Sequence, residues 1–178
     1  MITKKIVITG GPSTGKTTII NHLETKGKTC YHEISRAITL EAQKQNIEQL
    51  FLEDPTLFSQ KLLEGRIDQF LDAAQKETSC IFMDRGIPDV IAYMNYINQS
   101  NPKKFIEACD LYKYDMIFLL PPWKEIHITD NERYENFDQA IEIHEHLLET
   151  YNSLSYDCIE VPTGTVEERC DFILNKSM

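Results

Sequence analysis

The stretch Gly10-Gly11-Pro12-Ser13-Thr14-Gly15-Lys16-Thr17 decides how the rest of the chain is read. It has the form G-x-x-x-x-G-K-[ST], the loop that cradles phosphates. Before it stands an apolar, β-branched run, Lys5-Ile6-Val7-Ile8-Thr9. After it, Thr17-Thr18-Ile19-Ile20-Asn21-His22-Leu23 is helix-like. Strand, loop and helix is the setting in which the motif works. Small residues let backbone N–H groups converge on a polyphosphate, and the helix adds its unsatisfied N–H groups and positive dipole end. Gly10, Gly11, Pro12, Ser13, Thr14, Gly15, Lys16, Thr17 and Thr18 are therefore expected to bind a nucleotide. Lys16 would reach its β- and γ-phosphates, and the Thr17 hydroxyl would hold magnesium. The plainer reading, a glycine-rich turn with a solvated lysine, requires pattern and flanks to agree by chance.

Composition bounds the rest. A chain of 178 residues, 42 % apolar and 26 % charged, has the length and balance of one globular domain, here taken as 1–178. A formal net charge of −10 makes nucleic acid or an anionic membrane a poor partner, so an anion site must be built locally. No apolar run reaches membrane-spanning length. Ile2 to Thr9 is strand-like, without the pattern of a signal peptide. Cys30, Cys80, Cys109, Cys158 and Cys170 form no CxxC and no zinc spacing, and are expected to be reduced, packed thiols of a cytoplasmic protein.

Outward from the loop, strand-like and helix-like runs alternate. Strands are expected at Lys4–Thr9, Thr29–Glu33, Ser79–Asp84, Asp115–Leu120 and Cys158–Val161. Helices are expected after the loop, over Ile34–Gln45, from Pro55 with Asp54 as its cap, over Pro88–Asn98 and Pro102–Tyr112, along a face of Phe137, Ile141, His144, Leu148 and Tyr151, and over Val166–Leu174. Alternation of this kind implies an α/β fold: a parallel sheet between two helical layers, with ligands at the carboxyl ends of the strands. That rule gathers scattered polar residues into one site.

Asp84 ends an apolar strand, the Walker-B arrangement, and a carboxylate there can enter a magnesium shell or take a proton from an attacking hydroxyl. A carboxylate that merely caps the following loop is the alternative. Arg85 can bind phosphate or a substrate carboxylate bidentately. Glu33 and Arg36 stand at a strand-to-helix junction and can orient an acceptor, or pair with each other. Arg133, in the polar segment after the fourth strand, suits a lid of about 122–135 that closes on the transferred phosphoryl group, with Asp130 bracing it. Arg66 and Gln69 read as a solvated helix face in preference to an acceptor wall. His144 and His146, two apart on a helix, diverge and make no metal pair.

Taken in order, these landmarks resemble the P-loop kinases of small metabolites. The chain is most similar to the AAA-domain ATPase family close to the nicotinamide-riboside kinase domain of NadR-type proteins. The resemblance runs through Gly10–Thr18, Glu33 with Arg36, Asp84-Arg85-Gly86, Tyr114–Trp123, the D-x-x-R of Asp130–Arg133, and Val161–Arg169. It implies a five-stranded three-layer P-loop fold with strand order 2-3-1-4-5, ATP with Mg2+, and an adenine bordered by Pro162, Thr163 and Gly164. Lys16, Asp84, Arg85, Arg133 and Glu33 are then the catalytic candidates. Glu33, Arg36 and Arg85 line the acceptor side, and Thr17 and Asp84 the metal. The expected activity is transfer of the ATP γ-phosphoryl group to a nucleoside-like or other small-molecule acceptor. A nucleotide-switched regulatory ATPase with a protein or lipid partner is the alternative, and a homodimer is left open.

Overall fold

The computed structural model describes residues 3–128 and 135–178. Five strands, β1 (Lys4–Gly10), β2 (Thr29–Tyr31), β3 (Cys80–Asp84), β4 (Met116–Leu120) and β5 (Cys158–Glu160), form one sheet in the order β2-β3-β1-β4-β5. All four pairings are parallel. The helices are α1 (Lys16–Thr25), α2 (Ser35–Lys44), α3 (Leu50–Glu53), α4 (Pro55–Ala74), α5 (Ile87–Tyr96), α6 (Lys103–Leu111), α7 (Phe137–Ser153) and α8 (Val166–Ser177). Among the described residues no helix is long and apolar enough to cross a membrane.

The period of two along each strand separates two cores. Ile6, Ile8, Phe82, Phe118 and Leu120 point to one face, where α1 and α8 bring Ile19, Ile20, Leu23, Cys170 and Ile173. Val7, Ile81, Met83, Ile117 and Leu119 point to the other, against Leu63, Val90, Ile91, Phe105, Ile143 and Leu147 from α4 to α7. Both sheet faces are therefore dry, and the polar chemistry is left to the rim.

Helix starts are set by local chemistry. The Asp54 carboxylate accepts from Leu57 N at 2.9 Å, as expected. Reciprocal boxes at Asn136 with Gln139 and Thr165 with Glu168 start α7 and α8. Three expectations change. β2 stops at Tyr31, because the Glu33 carboxylate turns to accept from Ile34 N and Ser35 N at 2.9 and 3.1 Å and starts α2 instead of extending the strand. The buried face of α7 is Ala140, Ile143, Leu147, Thr150 and Tyr151, while Ile141 and Leu148 are exposed. Small residues, Ala140 and Thr150, let that face approach the sheet, which an apolar tally overlooks. The short helix α3, burying only Leu50, has no periodicity to announce it.

Candidate active site

The phosphate loop lies between β1 and α1, at the carboxyl end of the sheet. Gly15 has φ 86° and is the N-cap of α1, a left-handed conformation that suits glycine. The Lys16 ammonium is buried. It donates to Gly10 O at 2.8 Å and Gly11 O at 2.6 Å, and lies 3.3 Å from Thr14 Oγ1. Burial, helped by the nearby Arg85 guanidinium, lowers its pKa to about 7, while Asp84, Asp89 and Glu33 oppose the shift. A cation held in this way gains from any negative charge brought beside it. Thr17 is exposed at the first turn of α1.

β3, paired to β1, delivers Asp84 to the same end: Ile8 is its register partner. The Asp84 carboxylate is buried, and Oδ1 has no hydrogen-bond partner. Burial raises its pKa, against the pull of Lys16 and Arg85. An unpartnered buried carboxylate oxygen, with a threonine hydroxyl on the neighbouring helix, is the hard-oxygen donor type that Mg2+ takes alongside phosphate oxygens.

β2 and α2 deliver Glu33, and here the structure adds a residue. Arg66, read as solvated from its helix, is 2 % exposed. Its Nη2 meets Glu33 Oε1 at 2.9 Å, and its Nη1 donates to Asp84 O at 3.2 Å. Arg85 Nε pairs with the other Glu33 oxygen, and Arg85 Nη1 donates to Gly10 O at 3.2 Å. Burial pushes Glu33 up, but Arg66, Arg85 and two backbone N–H groups outweigh it and hold the carboxyl at about 2. The Arg85 guanidinium also lies over the Tyr93 ring, 5.2 Å from its centroid. Glu33 is thus a two-arginine hub rather than the partner of Arg36, which is exposed at the start of α2. Gln69 Nε2 donates to His32 O at 2.9 Å on the same wall. The signal for Arg66 was in the sequence: it falls in one helical row with Leu62, Phe70 and Ala73, which face the core.

On the other flank, Pro162, Thr163 and Gly164 form the turn between β5 and α8. From α8, buried Arg169 donates through Nη1 to Thr14 O at 3.0 Å, and its guanidinium lies 5.6 Å from the Trp123 ring centroid. The structure therefore brings together the loop, Lys16, Asp84, Arg85, Glu33 and Arg66. Arg133 and Asp130 lie outside the described residues. The arrangement can bind a polyphosphate through backbone N–H groups and one ammonium, and offers a carboxylate and an arginine beside it.

A family model for the AAA domain matches residues 5–169. The chain belongs to the AAA domain family. Solved structures give this AAA domain chain its fold relatives. A deoxyadenosine kinase from M. mycoides with products dCMP and dCDP bound is 19 % identical, with TM-score 0.66 and 97 % of each chain covered. A NadR protein in complex with NAD and AMP-PNP is 18 % identical with TM-score 0.71, covering 99 % of this chain and 50 % of that one. Thymidylate kinase from Candida albicans is 19 % identical with TM-score 0.65, covering 99 % and 93 %. No curated protein sequence matches this AAA domain chain. At such identities the likeness carries the three-layer architecture, and the chemistry has to be argued from the side chains.

Proposed function

We propose that the chain is a kinase that moves the γ-phosphoryl group of ATP to the hydroxyl of a small, nucleoside-like acceptor, with magnesium. The observation that carries this reading is the convergence of Lys16, the buried, unpartnered carboxylate oxygen of Asp84 and the Arg85 guanidinium at one end of the sheet. Magnesium, held by Thr17 and Asp84 together with phosphate oxygens, would neutralise charge on the β- and γ-phosphates. Residues Gly10 to Thr18 hold the phosphates, and the Pro162-Thr163-Gly164 turn borders the base. The acceptor lies on the Glu33 side, with Arg36 at its edge. Arg85 meets the transferred group or the acceptor.

The two carboxylates divide the work. Glu33, held at about 2 and bonded to two arginines, is a fixed anion and a weak proton acceptor. Asp84, whose Oδ1 has no hydrogen-bond partner, is the carboxylate left with an oxygen to take a proton. The acceptor hydroxyl gives its proton to Asp84, its oxygen attacks the γ-phosphorus, and the bond to the β–γ bridging oxygen breaks to release ADP.

The test is ADP release over a panel of nucleosides, nucleoside monophosphates and other hydroxyl metabolites. One acceptor should raise the rate well above basal hydrolysis, and Asp84→Asn should bind ATP yet lose that rate by orders of magnitude. Basal hydrolysis unmoved by every acceptor, with a protein or lipid partner that distinguishes ATP from ADP, would replace the kinase by a nucleotide switch.

A further inference from the structure

The turn after β3 carries a feature that the proposed reaction does not use. Arg85 has φ 74°. For a non-glycine residue this region costs about 1–3 kcal/mol and persists where the surroundings over-determine it. Gly86 follows, and a Cβ there would lie 2.7 Å from the Tyr151 hydroxyl. The group that holds this turn is Asp89, in the first turn of α5 and 1 % exposed. Its carboxylate accepts four hydrogen bonds. Oδ1 takes the Thr9 hydroxyl at 2.5 Å and Arg85 Nη1 at 3.3 Å. Oδ2 takes Gly86 N at 2.8 Å and the Tyr151 hydroxyl at 2.6 Å. Thr9 is the residue before the phosphate loop, and Tyr151 belongs to α7.

We propose that Asp89 is a positioning residue that fixes the plane of the Arg85 guanidinium against the phosphate loop. Its consequence for turnover rests on the kinase reading; its geometry does not. Glu33 holds the Nε end of Arg85, and Asp89 with Gly10 O holds the Nη1 end. One anchor at Nε leaves the slow turn about the partly double Nε–Cζ bond, which exchanges Nη1 with Nη2, unopposed; a second at Nη1 opposes it. Nη2 is then the nitrogen that meets a phosphoryl or acceptor oxygen in one fixed direction. Preorganisation of this kind spares the reacting state the cost of orienting a cation.

The plainer role for Asp89 is to cap α5 through Gly86 N. Asp89→Asn separates the two. The Gly86 N–H cannot turn away, so the amide oxygen goes to it and to Tyr151. The amide NH2 then faces Thr9 and Arg85, and a donor confronts a donor. The cap survives while the charged half of the Arg85 anchor is lost, leaving Nη1 to Gly10 O alone. Tyr151→Phe keeps both the cap and the Arg85 anchor and removes only a bond to the other oxygen.

With 15N-labelled arginine, wild type and Tyr151→Phe should show two separate Nη resonances for Arg85, assigned by their loss in Arg85→Gln. Asp89→Asn should show them coalesced. On turnover, Asp89→Asn should lower kcat about 10–100-fold with KM for ATP little changed. Tyr151→Phe should melt lower with wild-type kcat. Because Asp89 acts through Arg85, adding Asp89→Asn to Arg85→Gln should cost nothing further. Separate Nη resonances in Asp89→Asn, or losses that multiply in the double variant, overturn the proposal. If wild type phosphorylates no acceptor, the kinase reading fails, and the NMR comparison still decides whether Asp89 orients Arg85.

Discussion

Glu33 shows how a single carboxylate can serve structure and site together. Its two oxygens hold Arg66 and Arg85, and the Arg66 side chain is only 3 % exposed against 24 % for Glu33. Replacing it by glutamine leaves two buried guanidinium groups facing a neutral amide. Removing one partner of a buried pair costs about 3–5 kcal/mol, and less where one member keeps some contact with water. We expect Glu33→Gln to lose about 2–3 kcal/mol near neutral pH. The pH dependence follows from the carboxyl being held at about 2 in the fold, below its ordinary 4.5. The stabilisation is fully present above 4.5 and is lost as pH falls towards 2, because the unfolded chain takes up the proton first. Denaturant midpoints from neutral pH down to acid should therefore fall less steeply for Glu33→Gln than for wild type. Parallel acid limbs would mean that Glu33 is not held by the two arginines in solution.

At the scale of elements, α8, the phosphate loop and the segment leaving β4 meet at one residue. Arg169 reaches from the first turns of α8 to Thr14 O and lies against Trp123, three residues past β4. Its Nε and Nη2 are buried with no hydrogen-bond partner, so the indole face is the main company of that charge. Trp123 is the one tryptophan in the sequence, and its emission reports on this junction alone. Nucleotide binding at the loop should change that emission, and Arg169→Met should raise the wild-type baseline and remove most of the change. An emission insensitive to ATP and ADP would uncouple Trp123 from the loop. The same junction shows what was legible beforehand. The strands, the loop and Asp84-Arg85 could be read because each is a local pattern: an apolar β-branched run, a glycine spacing, a carboxylate after an apolar run. The strand order, which is not local, came only with the family resemblance. The roles of Arg66 and Arg169 depend on partners 33 and 155 residues away, Glu33 and Thr14. The face of α7 was misread because Ala140 and Thr150 bury as well as large residues do when a helix must come close to a sheet.

For the whole molecule, the phosphate loop is the seam between the two cores. It follows β1, which contributes Ile6 and Ile8 to one core and Val7 to the other, and it leads into α1, which packs with α8. A ligand that grips the loop should therefore stabilise the cooperative unit and not a local patch. ATP with magnesium at about 100 times its Kd should add roughly 2.7 kcal/mol. For a chain of this size that raises Tm by about 5–10 °C. Lys16 gives this shift a pH dependence with a defined sign. Its pKa is about 7 in the fold and 10.5 as the ordinary value, so the unliganded protein gains stability as pH rises between those limits. Bound polyphosphate restores the charge, so binding takes up a proton above pH 7 and ATP affinity weakens as the solution becomes more alkaline. At a fixed ATP concentration the Tm increment should be largest at and below pH 7, shrink steadily above it, and be absent from Lys16→Ala at every pH. Differential scanning calorimetry with and without Mg-ATP measures all three. An increment in Lys16→Ala equal to that of wild type would take the nucleotide away from this loop, and one that is flat with pH would mean that Lys16 keeps its proton throughout.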